Sequence, residues 1–151
     1  MPPDAPGRRG RQDMPYSITI TGRFHATHAL RLGDGAFETP HAHDWHVKAT
    51  VAGPRLNRIE VVMDFHLLER RLARALAELE GKDLNRVPPF ARRRGNFALN
   101  ASAERVAWWV GRRLAEGLPA GVRLTAVEVE EEPGCSACFT PGGTRMKKRK
   151  R

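Results

Sequence analysis

At 151 residues with 40% hydrophobic content, the chain has the size of one ordinary domain and enough apolar side chains for a single core. No apolar run is long enough to cross a bilayer, and residues 1–13 are rich in Pro, Gly and Arg with no hydrophobic stretch, so the sequence predicts a cytoplasmic protein without a transmembrane helix or signal peptide. Cys135 and Cys138 share one short segment, which excludes a disulfide scaffold, and most of the net charge of +9 comes from Arg145, Lys147, Lys148, Arg149, Lys150 and Arg151, a run without an acidic neighbour.

This distribution predicts a disordered N-terminal tail over 1–13, one folded domain over 14–140 and a basic tail over 141–151. Nucleic-acid binding would rest on that tail alone and is not expected. From Ile18 the chain alternates, with Ile18, Ile20, Phe24, Ala26 and His28 on one face and Thr19, Thr21, Arg23, His25 and Thr27 on the other, as in a half-buried strand. After a Gly-containing loop, His41, His43, Trp45, Val47, Ala49 and Val51 share a face opposite Asp44, His46, Lys48 and Thr50, and the two strands pair as an antiparallel ribbon. Asp64 caps a helix carrying Leu68, Leu72, Ala75, Leu76 and Leu79 at helical spacing, with Gly81 as its stop. A loop holding Pro88, Pro89 and Arg92 to Arg94 leads to a second cap, Asn100 or Ser102, and a helix with Val106, Ala107, Val110 and Leu114 inward. Trp108 and Trp109 on that helix are read as core or subunit interface. Alternation resumes with Arg123, Thr125, Val127, Val129 and Glu131 on one side, and a last strand covers Cys135 to Thr140. The order ββααββ predicts an α+β fold, a four-stranded antiparallel sheet with two helices on one face.

Three histidines fall on converging inward positions. His28 ends the inward face of the first strand, and His41 and His43 begin that of the second, so a tight ribbon brings them to one end of the sheet. Alternate strand residues stand about 6.6 Å apart and can aim two imidazoles at one ion. Three neutral imidazoles suit Zn2+, and three protein ligands with an open fourth position is the catalytic arrangement. His25 and His46 face outward on the same strands, and His66 lies in a first helical turn, so none of the three is expected to be a ligand.

Several segments then resemble, in order, those of the 6-pyruvoyl-tetrahydropterin synthase and 6-carboxy-tetrahydropterin synthase family. Phe24-His25-Ala26-Thr27-His28 is similar to its F-x-A-x-H, and His41-Ala42-His43 to its H-G-H. Met63-Asp64-Phe65 is similar to V-D-F, Asn100-Ala101-Ser102-Ala103-Glu104 to N-P-T-x-E, and Glu131-Glu132-Pro133 to E-T-P. The resemblance runs from about Tyr16 to Phe139. It implies the tunnelling fold, a homo-oligomer with sites between subunits, and a zinc-dependent lyase acting on the side chain of 7,8-dihydroneopterin triphosphate, as in queuosine or pterin biosynthesis. It also implies Ser102 and Glu131 as substrate-binding residues. A carboxylate at Glu131 suits the ring, whose amide N–H and exocyclic amine form a donor pair for two oxygens.

The pattern breaks at the proton-transfer set. The family's cysteine before H-x-H is missing, and Glu80-Gly81-Lys82-Asp83-Leu84-Asn85 occupies the segment resembling L-D-H-x-x-L-N, with Glu80 at Asp and Gly81 at His. Glu38-Thr39-Pro40-His41-Ala42-His43 instead resembles a subgroup with E-x-x-H-G-H that makes 6-hydroxymethyl-dihydropterin. That resemblance gives Glu38 a catalytic role, as general base in a retro-aldol cleavage. Asp83 is considered as a substitute carboxylate and Cys135 as a displaced nucleophile. The rival reading is a zinc- and pterin-binding homologue that has lost the chemistry.

Overall fold

The computed structural model describes residues 13–91 and 99–142. The Arg92 to Arg94 cluster, residues 1–12 and the basic run from Arg145 lie outside them. Strands β1 (Tyr16–His28) and β2 (His41–Gly53) form the antiparallel ribbon, followed by α1 (Phe65–Ala77), β3 (Lys82–Asp83), a 3-10 turn (Leu84–Arg86), α2 (Ala103–Ala115), β4 (Arg123–Glu132) and β5 (Cys135–Phe139). One sheet runs β3-β1-β2-β4-β5. It has five strands, not the four predicted, and is mixed because β3 pairs parallel to β1. Two residues are too few for alternation to register, so only the fold reveals this edge.

Both helices cover one face of the sheet and close a single core that includes Ile20, Phe24, Trp45, Val47, Leu68, Leu72, Val106, Val110, Val127 and Val129. Asp64 caps α1 by accepting from His66 N–H, as expected, while the helix already ends at Ala77 and Gly81 (φ 69°) serves the following turn. Ser102, not Asn100, caps α2, accepting from Arg105 N–H at 3.2 Å. Two glycines set how closely the helices approach. A Cβ on Gly22 would lie 2.9 Å from Leu76 Cδ1 on α1, and one on Gly111 of α2 would lie 2.6 Å from the Phe139 ring on β5. Gly111→Ala should therefore lower stability by about 1–3 kcal/mol despite alanine's better helix propensity. Its urea midpoint against the parent's checks this, and a stabilised variant would refute it.

A bulge corrects the sequence reading of β4. Thr50 pairs with Ala126 and Val51 with Leu124, so Thr125 is an extra residue, its hydroxyl donating to Thr50 O at 3.1 Å. Upstream of the bulge the parity inverts, and Leu124 is buried while Arg123 is exposed. Downstream it holds, with Val127 and Val129 buried, so Glu131 keeps its inward position.

Candidate metal centre

The ribbon register places His28 opposite His41 and Ala26 opposite His43. Period-2 geometry then puts the three rings on one face, with centroids 4.7 to 5.3 Å apart. Beneath them Trp45 is fully buried, its ring edge-on to His28 at 4.8 Å and to His43 at 5.7 Å, and its indole N–H donates to Ala26 O at 3.2 Å. His28 is the buried polar side chain of the core among the described residues.

Two backbone carbonyls settle the ring tautomers. His28 Nδ1 donates to Ala101 O at 2.6 Å and His41 Nδ1 donates to Thr39 O at 2.9 Å. A carbonyl only accepts, so each Nδ1 carries the hydrogen and each Nε2 of a neutral ring presents a lone pair. Those two Nε2 atoms lie 3.2 Å apart. His43 Nε2 is buried without a hydrogen-bond partner: Glu131 Oε1 lies within 3.2 Å of it, yet outside hydrogen-bonding alignment. Glu131 Oε1 is also 3.2 Å from His28 Nε2. Two lone-pair nitrogens, His43 Nε2 and a carboxylate oxygen thus crowd one point, all within 4.8 Å of one another, an arrangement that a cation among them would satisfy. Zn–N bonds of ~2.0–2.1 Å at tetrahedral angles require N···N separations of about 3.3–3.4 Å, close to the 3.2 Å between His28 Nε2 and His41 Nε2. The donor set therefore fits a divalent metal of the zinc class.

The second layer holds the segment that follows His28. Ala29 N–H donates to Asn85 Oδ1 at 2.8 Å, Leu30 N–H to Glu38 Oε1 at 2.9 Å, and Arg31 N–H to Asn100 Oδ1 at 2.9 Å. Both asparagines return the bond, donating from Nδ2 to Ala29 O and Arg31 O at 2.9 Å. Three successive amides are thereby fixed, and Asn100 precedes the very carbonyl that orients His28. Sequence reasoning missed Asn85, Asn100 and Trp45 as supports. Trp45's inward parity was a usable signal, whereas a carbonyl such as Ala101 O has no signature in a sequence.

The remaining expected residues are placed as follows. Glu38 Oε1 lies 3.8 Å from His41 Nε2, at the rim of the centre, while it also holds Leu30. Ser102 is engaged as the cap of α2, immediately after Ala101. Glu80 accepts from His25 N–H at 2.9 Å and Gly81 N–H donates to His25 O at 2.7 Å, so this pair fastens α1's exit to the edge of β1. Asp83, considered above as a substitute carboxylate, caps the 3-10 turn through Asn85 N–H and lies 3.5 Å from Arg86 Nε. Cys135 is exposed, and partial desolvation together with the Glu132 carboxylate beside it pushes its thiol up from the ordinary value, so it holds little of the thiolate that a nucleophile needs. His25 and His66 pair outside the centre with Asp44 (2.8 Å) and Glu69 (3.1 Å), and His46 lines an open groove of about 600 Å³ with Thr21, Arg23, Lys48 and Glu128. The bond from His25, with the charges of His25, His46 and Arg23, holds the Asp44 carboxyl below its ordinary value.

With the geometry established, comparison with known proteins is informative. The curated dihydroneopterin monophosphate aldolase of Pyrococcus furiosus is 25% identical over 118 residues, covering 78% of this chain and 91% of that protein. The structure of Caenorhabditis elegans 6-pyruvoyl tetrahydropterin synthase superposes with a TM-score of 0.70 at 19% identity, covering 84% of this chain and 96% of the other. A structure of Plasmodium vivax 6-pyruvoyltetrahydropterin synthase, in which a catalytic glutamate is replaced by alanine, gives a TM-score of 0.66 at 15% identity over 82% and 96% of the two chains. At these identities the structural likenesses establish the fold. The model of the 6-pyruvoyl tetrahydropterin synthase family matches residues 17–141, most of the chain, which therefore belongs to that family of enzymes.

Proposed function

We propose that the protein is a zinc-dependent lyase that cleaves the side chain of a 7,8-dihydroneopterin phosphate by a retro-aldol reaction. The observation that carries this reading is the convergence of His28, His41 and His43 on one point with a carboxylate on either side, Glu38 at the His41 rim and Glu131 against His28 and His43. A bound zinc would supply Lewis-acid polarisation of the side-chain oxygens. Glu38 takes the proton of the 2′-hydroxyl; the C1′–C2′ bond breaks as that oxygen becomes an aldehyde, and the electron pair passes to C1′, where conjugation with the ring C=N spreads it until C1′ is reprotonated. The products are 6-hydroxymethyl-dihydropterin and a two-carbon aldehyde that retains the phosphate.

Two observations favour this outcome over a 6-carboxy or 6-pyruvoyl product. Glu38 stands where the cysteine of the other subgroups is missing, and the Pyrococcus relative is named an aldolase. A glutamate is likewise described as a catalytic residue in the Plasmodium vivax 6-pyruvoyltetrahydropterin synthase. Glu131, expected from the sequence to anchor the ring, is assigned instead to the side-chain end, because its carboxylate already reaches the histidine nitrogens. Ser102 keeps its O–H free to donate to the ligand while its oxygen caps α2. We further propose a homo-oligomer with sites between subunits: β5 is an edge strand, and the apolar side chains of Leu32 and Phe37 are exposed beside Glu38. Among the described residues no helix is long and apolar enough to cross a membrane.

Incubating the zinc-loaded protein with 7,8-dihydroneopterin monophosphate or triphosphate, with products identified by mass spectrometry, tests the reading. The expected product is 6-hydroxymethyl-dihydropterin. A 6-carboxy or 6-pyruvoyl product would overturn the cleavage step, and unchanged substrate that is nevertheless bound would favour a binding homologue lacking the family's imidazole at Gly81.

A further inference from the structure

The four groups of the metal centre are not held alike. His28 and His41 lie within the β1–β2 ladder, their Nδ1 atoms are fixed by carbonyls, and His43 is only 14% exposed over the buried Trp45. Glu131 has neither kind of restraint. The β2–β4 pairing ends at His46 and Glu130, and on the other side the β4–β5 register shifts between Glu130 and Glu132, leaving Glu131 without a ladder partner. Such a bulge re-aims a side chain and loosens its surroundings. The Glu131 side chain is 23% exposed, less than the 39% of His41, so what sets it apart is the unpaired backbone at the bulge, while its Oε1 stands 3.2 Å from both His28 Nε2 and His43 Nε2.

From this asymmetry we propose that Glu131 is an exchangeable fourth ligand, which closes the metal's coordination when no substrate is present and gives up that position to an incoming substrate oxygen. The inference rests on the metal reading above and deepens it. Three rigid imidazoles hold the ion, and one carboxylate on a bulge can leave it by a side-chain rotation that disturbs no strand pairing. Once displaced, Glu131 remains beside the vacated position as an acceptor for the hydroxyl hydrogen of the group that replaced it. The exchange also keeps a metal with an otherwise open position from taking up adventitious anions.

The consequence is a linkage. If Glu131 and an external ligand compete for one position, the factor by which Glu131 tightens metal binding is the factor by which it weakens the external ligand. Zinc affinity is measured by competition with a chromophoric chelator for the parent, Glu131→Ala, Glu131→Gln and His43→Ala, and azide is titrated into the cobalt-substituted forms while their visible spectra are followed. In Glu131→Ala, zinc affinity should fall by at least about tenfold and azide affinity should rise by a similar factor, with the cobalt bands of the azide-free protein shifted from the parent's. Glu131→Gln, which retains size, should show the same direction with intact folding by circular dichroism. If both Glu131 variants keep the parent's zinc affinity, cobalt spectrum and azide affinity while His43→Ala loses metal, the exchange is wrong and the centre stands. If His43→Ala also binds zinc like the parent, the metal reading itself fails.

Discussion

Replacing His43 with alanine should remove zinc from the purified protein, whereas replacing His46 should leave about one ion per chain. His43 Nε2 is buried, has no hydrogen-bond partner and lies 3.2 Å from Glu131 Oε1, so a cation at the common point would satisfy both atoms. His46 lies three residues further on the opposite face, where period 2 forbids its reaching that point. Loss of a direct ligand should weaken zinc by more than the 10–100-fold typical of losing an outer-shell partner. Metal counting on dialysed protein reads the difference directly.

Thermal unfolding gives an independent check. Zinc held at 100 times its dissociation constant stabilises the native state by about 2.7 kcal/mol, so chelation should lower the parent's melting temperature by several degrees and leave that of His43→Ala unmoved. His43 is a cleaner probe than His28. Truncating the fully buried His28 would also open a cavity and leave Ala101 O without its donor, so lost metal and lost stability would be confounded. Full zinc occupancy in His43→Ala would sink the assignment.

The histidine triad was legible because a strand's side-chain period is fixed by covalent geometry. Once Phe24, Ala26 and His28 alternate inward, and His41, His43 and Trp45 do likewise, only the register of the ribbon is left open, and the loop from Ala29 to Pro40 closes it at His28 opposite His41. The same parity argument failed over Arg123 to Thr125, because a bulge inserts one residue and inverts every side chain upstream of it, and no local signal marks Thr125 as the extra residue. Glu131 was found by parity, but its closeness to the histidines was not. Its inward direction was readable, but how far it stands from the histidines depends on where the second bulge falls, between Glu130 and Glu132. Asn85 and Asn100 were not recognised as clasps on Ala29 and Arg31, 56 and 69 residues away, because a side-chain bond to a distant backbone amide leaves no periodicity. The short β3 escaped for a related reason: its pairing with Ala26 and Thr27 is a property of how α1 returns to the sheet.

The two contacts of Glu38 make the test of its proposed role as base sharper than for an ordinary carboxylate. Its Oε1 accepts Leu30 N–H at 2.9 Å, fixing the segment after His28, and the same atom lies 3.8 Å from His41 Nε2. Glu38→Gln keeps a carbonyl oxygen for Leu30 and the side chain's length, but an amide cannot take the 2′-hydroxyl proton. Turnover should therefore drop by about 10²–10⁴-fold, while zinc content and melting temperature stay at parent values. Glu38→Ala removes both functions. Leu30 N–H loses its acceptor, so this variant should lose turnover and also about 1–3 kcal/mol of stability. The pair separates the roles, since a merely structural Glu38 would leave the Gln variant active and only the Ala variant impaired. Single-turnover rates on 7,8-dihydroneopterin monophosphate, measured beside binding titrations, place the loss in the chemical step if substrate affinity in Glu38→Gln is unchanged. If Glu38→Gln turns over at the parent rate, the proton has another acceptor, and Glu131, the remaining carboxylate within reach of the histidine nitrogens, becomes the base to test.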